Sequence, residues 1–185
     1  HLSSQSGNKL KFDEMISAFI PNQPRQNETT VGSANGSFTL KKSLEDGFNK
    51  GFEISNKLTK KDIKIDPPTS NEKTYGNHEK FWCMPLPENQ NHKRCVDFQN
   101  DVYVSDIELA IREGFRSIEH VKRYTTLGMA TDQGKTSNLN GLQLVSNIEN
   151  KIVPEVGHTT FRPPYTPVTI GTIVGREVGK HYRPT

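Results

Sequence analysis

Cysteine is scarce in this chain: Cys83 and Cys95 are the only 2 in 185 residues. That excludes a disulfide scaffold and suits a reducing compartment. No apolar run approaches the roughly 20 residues a membrane span needs, and no signal-peptide pattern is visible. No sustained Lys/Arg block appears, and aromatics do not interleave with a basic stripe. A net charge of +3 and a pI near 8.8 are too mixed for a nucleic-acid reader. Apolar content is also low, at 31% with a mean hydropathy of −0.73. So lean a chain buries less surface to offset the entropy of ordering, so long loops and an outside packing partner are expected. It opens on His1 rather than methionine and is expected to be a piece of something larger. The composition points to a cytoplasmic protein with no nucleic-acid or membrane partner.

Near the start, Lys9-Leu10-Lys11-Phe12 alternates like a strand. Ala18-Phe19-Ile20 is a second strand, stopped by Pro21. With Asp13-Glu14 between them, a small hairpin is predicted. Val31 to Gly36 then places glycines around small residues just before a helix, a turn that lets backbone approach a ligand closely. The same turn also reads as a plain tight loop. The helix is predicted from Ser37 to Ser55, with Phe38, Leu40, Leu44, Phe48 and Phe52 near one face. Gly47 and Gly51 weaken it and predict tight packing against a neighbour.

Residues 57–92 are rich in Pro, Asn and Lys and read as a linker. Within it, Phe81 to Pro85 forms an apolar plug expected to dock on a core or a partner. His78, Cys83, His92 and Cys95 are metal-ligand types, but their spacing does not form the paired knuckles of a zinc site.

The stretch Cys95 to Gly141 organises the rest. Val96 and Phe98 alternate with Asp97 and Gln99 as a short strand would. Ser105-Asp106-Ile107-Glu108 matches a capping box that opens a helix whose Ile107, Ala110 and Ile111 give an apolar face, with Gly114 as the stop. Ser117 caps a second short helix whose Ile118, Val121 and Tyr124 point inward. Ser137 or Thr136 then caps a third helix through Leu139, Leu142, Val145 and Ile148. Gly134, Lys135 and Thr136 therefore sit just upstream of a helix N-terminus, where amides point outward. Lys122, Arg123 and Lys135 add charge, and Thr125, Thr126 and Thr136 add hydroxyl donors, which together suit a phosphate. A capped helix with incidental basic residues is the plainer alternative. The stretch is not a Walker A loop, because one residue too many separates Gly128 from Gly134 and no strand leads into it.

Val96 to Val102 (VDFQNDV), Asp106 to Asn138 and Glu155 to Val168 (EVGHTTFRPPYTPV), in that order, resemble the alpha subunit of heterotetrameric sarcosine oxidase. Weaker likeness extends upstream through HLSSQSGNKL and VGSANGSFTLKKSLEDGFNKG. The helix–turn–helix around DIELAIREG and SIEHVKRYT also resembles the bacterioferritin-associated-ferredoxin (BFD) type of [2Fe–2S] domain. The ligating cysteines are missing there: Val96 to Gln99 and Thr131 to Gln133 fill those regions, and Cys95 alone cannot hold a cluster.

The resemblance implies an α+β fold with a BFD-like helical domain lacking its cluster. Residues 1–56 would be the C-terminal piece of an FAD/NAD-type dinucleotide-binding domain, 57–92 a linker, 93–150 the BFD-like domain, and 151–185 a Pro-rich connector toward a T-protein-like folate domain. It implies oxidation of sarcosine to glycine, with peroxide formed and a one-carbon unit passed to tetrahydrofolate. FAD would lie in the beta subunit, FMN at the interface with alpha, and NAD in the parent alpha subunit. The partners implied are the beta subunit and the other domains of alpha. Arg123, Thr125, Thr126, Gln133, Gly134, Lys135 and Thr136 would then hold the FMN phosphate or tune its ring, and Gly32, Asn35 and Gly36 would line the NAD pocket. No catalytic residue and no metal site is assigned, and the isolated piece is expected to be inactive. The competing reading is a structural adaptor that touches no cofactor.

Overall fold

The computed structural model describes residues 2–60, 65–72, 79–87, 92–160 and 168–179. It contains two units, His1–Phe81 and Trp82–Thr185. In the first, helix α1 (Leu2–Gln5) precedes an antiparallel hairpin of β1 (Leu10–Asp13) and β2 (Ala18–Pro21). Lys11 pairs with Ile20 and Phe12 with Phe19. The Phe12 and Phe19 rings meet at 5.0 Å, which buries Phe12. Polar contacts tie this end together: Asn8 bonds to Ser3 and Glu28, and its side-chain oxygen accepts from the Arg25 amide.

A 3-10 turn, Gly32–Asn35, leads through Gly36 and Ser37 into helix α2 (Leu40–Thr59), capped by Thr39. The helix therefore starts later and runs further than its sequence pattern predicts. Phe38 stays outside it, 52% exposed, and no residue of α2 is fully buried. Phe48 and Phe52 stack on each other at 5.9 Å. A Cβ added at Gly47 or Gly51 would meet nothing within 4 Å, so among the described residues these glycines do not mark tight packing.

The second unit holds the larger core. Strand β3 (Cys95–Asp97) pairs antiparallel with β4 (Val102–Tyr103) through a bulge. Helix α3 (Val104–Arg112) follows directly, then α4 (Ile118–Thr125), α5 (Asn138–Glu149), the short α6 (Val153–Val156) and α7 (Ile170–Val174). Helix α3 packs on α4 and α5, and α5 packs on α6. Ile107, Ala110, Val121 and Val145 are fully enclosed at 0% exposure. These are the inward positions expected from the helical spacing, together with Ile111, Ile118 and Leu142. Tyr124 and Ile148 lie further out, with Tyr124 tilted against Phe115 at 4.7 Å.

The capping box of α3 is shifted by one pair. Asp106 rather than Glu108 closes it, accepting from the Tyr103 amide at 2.8 Å. The alternation of the short strand breaks after Val96: Val96 and Asp97 are both buried, while Phe98 is 84% exposed. Phe81 and Met84 of the apolar plug do not dock on a core of this chain, at 65% and 62% exposed. His78 and the triple-proline run at 162–167 lie outside the described residues. Among the described residues, no helix is long and apolar enough to cross a membrane.

Candidate functional site

The 127–137 turn between α4 and α5 is held by two carboxylates. Asp97, 3% exposed, is the deeper. Its Oδ1 accepts from the backbone amides of Gln99 (3.0 Å) and Asn100 (3.3 Å). Its Oδ2 accepts from the Gly128 amide at 2.8 Å and the Ser137 hydroxyl at 3.3 Å. One side chain thus joins β3, the turn after it and both ends of the α4–α5 turn. Two lateral bonds tie the turns further: the Thr131 hydroxyl donates to Gln99 Oε1 at 2.8 Å, and Asn100 Nδ2 donates to the Thr126 carbonyl at 3.0 Å.

Asp132 is the second. It accepts from the Gly134 amide (2.9 Å), the Thr136 amide (3.2 Å) and the Thr136 hydroxyl (2.8 Å). Partial burial pushes its carboxyl up, but the Thr136 and Gly134 bonds and the Lys135 charge outweigh that. The group sits below its ordinary value of 3.8. The donors that the sequence offers a phosphate just upstream of α5 are therefore bonded to the chain's own anion. An incoming phosphate would have to displace Asp132.

The other candidates are engaged locally. Arg123 pairs with Glu119 at 3.1 Å and donates to the Glu119 carbonyl at 3.0 Å. The Thr125 hydroxyl donates to the Val121 carbonyl at 2.8 Å and accepts from the Leu127 amide. The Thr126 hydroxyl donates to the Thr125 carbonyl at 2.6 Å. Gln133 bonds back to Ala130 through its side-chain amide. Gly134 is buried, whereas Arg123, Thr126, Lys135 and Thr136 are exposed. Gly128 and Gly134 clasp the side chain of Asn138, whose Oδ1 is buried without a hydrogen-bond partner. A Cβ at either glycine would fall about 2 Å from that oxygen (2.0 and 2.2 Å), and both have positive φ. The structure brings Arg123 through Thr136 onto one turn system. At its exposed rim the turn presents the Arg123 and Lys135 cations, together with threonine hydroxyls whose protons are donated within the chain.

Gly32, Asn35 and Gly36 belong to the first unit. Their turn is closed by its own backbone, with Gly36 donating to Ser33 and Ser37 to Gly32, both at 3.1 Å. Gly36 backs onto Ile16, and Asn35 is exposed. Burial first, then the Asp101 and Asp97 charges, pushes the Cys95 thiol up. Among the described residues, no cluster of His, Cys, Asp and Glu could hold a metal.

Sequence reasoning missed both Asp97 and Asp132 as organisers. The signal for Asp97 is an Asp followed by Gln99-Asn100, the pattern of an aspartate capping its own downstream amides. Its longer bonds to Gly128 and Ser137 have no local signature.

The fold has a known relative. The chain aligns with a solved L-proline dehydrogenase from P. horikoshii at a TM-score of 0.65 and 22% identity, covering 94% of this chain and 36% of that one. The two share a mixed fold of helices and small sheets. Residues 91–176 match the family model for the sarcosine oxidase A3 domain. The sarcosine oxidase subunit alpha of Rhizobium meliloti (strain 1021) is 50% identical over 104 residues, covering 56% of this chain and 10% of that protein. The subunit alpha of Corynebacterium sp. (strain P-1) is 34% identical over 187 residues, covering 97% of this chain and 19% of that protein. That of strain U-96 is 32% identical over the same span. The relatives place the chain in a family of oxidoreductase subunits. It belongs to the sarcosine oxidase alpha subunits, corresponding to a fragment of one, and spans about a fifth of the Corynebacterium relatives (19%).

Proposed function

We propose that this chain is the part of a sarcosine-oxidising flavoenzyme's alpha subunit that packs where the FMN-bearing beta subunit meets alpha. The observation that carries this is the alignment of 97% of the chain with an alpha subunit, combined with the internally hydrogen-bonded turn at 127–137. In this reading 93–150 is the BFD-like domain without its cluster, flanked by the end of a dinucleotide-binding region (1–56), a linker (57–92) and a connector toward a folate domain (151–185). The whole enzyme converts sarcosine to glycine with FAD, FMN, NAD and tetrahydrofolate in the cytoplasm, and forms peroxide. Gly32, Asn35 and Gly36 then belong to the NAD side.

The residues fit a flavin better at its ring than at its phosphate. Asp132 occupies the amides of Gly134 and Thr136, whereas Arg123 and Lys135 are exposed at the rim. A bound flavin would supply the redox chemistry. This chain would supply positive charge beside the ring, the electrostatic contribution a protein makes to a cofactor. Thr125, Thr126, Gln133 and Thr136 complete the rim. The test is the midpoint potential of FMN in the assembled enzyme with Arg123→Gln and Lys135→Gln. A lower potential in either variant supports the ring-side reading.

One observation favours the adaptor instead: Arg123 is ion-paired to Glu119, and the turn's donors are internally bonded. Unchanged FMN content and potential in both variants would select that second reading.

A further inference from the structure

The α4–α5 turn carries a feature that hydrophobic packing does not call for. A carboxylate is buried at the junction of two surface turns, and its acceptor capacity is spent on donors from four separate residues. An ionised group is costly to bury unless it is fully hydrogen-bonded, so such sites tend to specify geometry. The surroundings here are under local constraint as well. Asp101, Thr126 and Gln133, all non-glycine residues in these turns, hold positive φ of 50°, 63° and 53°. Backbone in this region is held only where its surroundings over-determine it, and it concentrates at functional sites.

We propose that Asp97 is the positioning residue of the flavin-facing rim. It does not reach a flavin itself, being 3% exposed. It acts through Gly128 and Ser137, which bracket the segment carrying Gln133, Lys135 and Thr136, and through Gln99, which fixes Thr131. The Oδ2 atom holds both ends of the turn, and Oδ1 holds the neighbouring one. The rim thereby keeps one geometry before any partner arrives, and a preorganised site loses less on binding than a mobile one. An asparagine in its place keeps a single acceptor oxygen, which can serve the Gln99 side or the Gly128 side but not both. This assignment rests on the ring-side flavin reading above, and the two fail differently.

The experiment uses the assembled enzyme with Asp97→Asn, Asp97→Ala and the milder Ser137→Ala. Asp106→Asn serves as a control that weakens the same unit at the cap of α3, away from the turn. Amide hydrogen exchange at Gly128 and the visible absorption and circular dichroism of bound FMN are read in each. The expected result is Gly128 exchange at least tenfold faster in Asp97→Asn, with a displaced flavin spectrum, while Asp106→Asn leaves the flavin spectrum as it was. Unchanged Gly128 exchange in the Asp97 variants would overturn the positioning role and leave the flavin reading intact. Faster exchange with an unaltered flavin spectrum would show that Asp97 holds the turn but that the turn does not face the flavin, overturning the functional assignment of both. If the Asp97 variants do not assemble, Ser137→Ala decides, because it removes one of the two Oδ2 contacts alone.

Discussion

Replacing Gly141 by alanine should destabilise the protein, although the same change in an exposed helix stabilises. Gly141 lies inside α5, where alanine is ordinarily favoured over glycine by about 1 kcal/mol. Here the added Cβ would stand 2.4 Å from Leu127 Cδ2. Leu127 is 1% exposed, so its side chain cannot swing into solvent. Forcing an extra methyl into a packed core costs about 1–3 kcal/mol. The overpacking term therefore exceeds the propensity gain, and the net loss is about 1 kcal/mol. In α2 the balance reverses. Nothing lies within 4 Å of a Cβ at Gly47 or Gly51, so each alanine there should stabilise its unit by about 1 kcal/mol. Urea unfolding followed by far-ultraviolet circular dichroism measures both. A double-mutant cycle adds a sharper check, because Leu127→Ala should cost less in the Gly141→Ala background than in the parent. Stabilisation by Gly141→Ala alone would refute the reasoning, as would additivity in the cycle.

Other outcomes follow from the same contacts. Glu149 accepts from Lys151 at 3.0 Å and pairs with Arg116 at 2.5 Å, and its carboxyl is held below the ordinary 4.5 by the Lys151 bond first and the Arg116 charge after. A depressed carboxylate adds stability above its unfolded value and loses it as the pH falls through the folded one. The pH profile should therefore show an acid-side loss below about 4.5 that Glu149→Gln reduces, read by thermal unfolding across pH. Asp132→Ala should cost about 1 kcal/mol, as loss of a capping carboxylate does, and speed amide exchange at Gly134 and Thr136; unchanged exchange at both would contradict the bonds described. Ile107→Ala, at 0% exposure in α3, should cost about 3 kcal/mol in urea unfolding.

Much of the helical architecture is legible because it rests on spacing. Ile107, Ala110 and Ile111 announce α3, and Leu142 and Val145 announce α5, since their periodicity is imposed by the surface they must bury. The first hairpin is legible for the same reason, with alternation and Pro21 marking its end. What escapes is what depends on distant partners. Asp97 looks like the outward residue of an alternating strand, and only Gly128 and Ser137, far along the chain, make it an inward one. The donors upstream of α5 are legible, but what they bond is hidden, because Asp132 reads as one more polar loop residue until it folds back on Gly134 and Thr136. Gly47 and Gly51 illustrate the converse: a glycine pair in a helix suggests close packing only if a neighbour is there.

A structure of the assembled enzyme with its flavin tests the central claim most directly. The result expected is an FMN ring whose contacts from this chain come from the rim at 123–136, with Lys135 or Arg123 beside the ring and Asp132 still bonded to Gly134. An FMN with no neighbour from that rim, or one whose phosphate has displaced Asp132, would contradict the account.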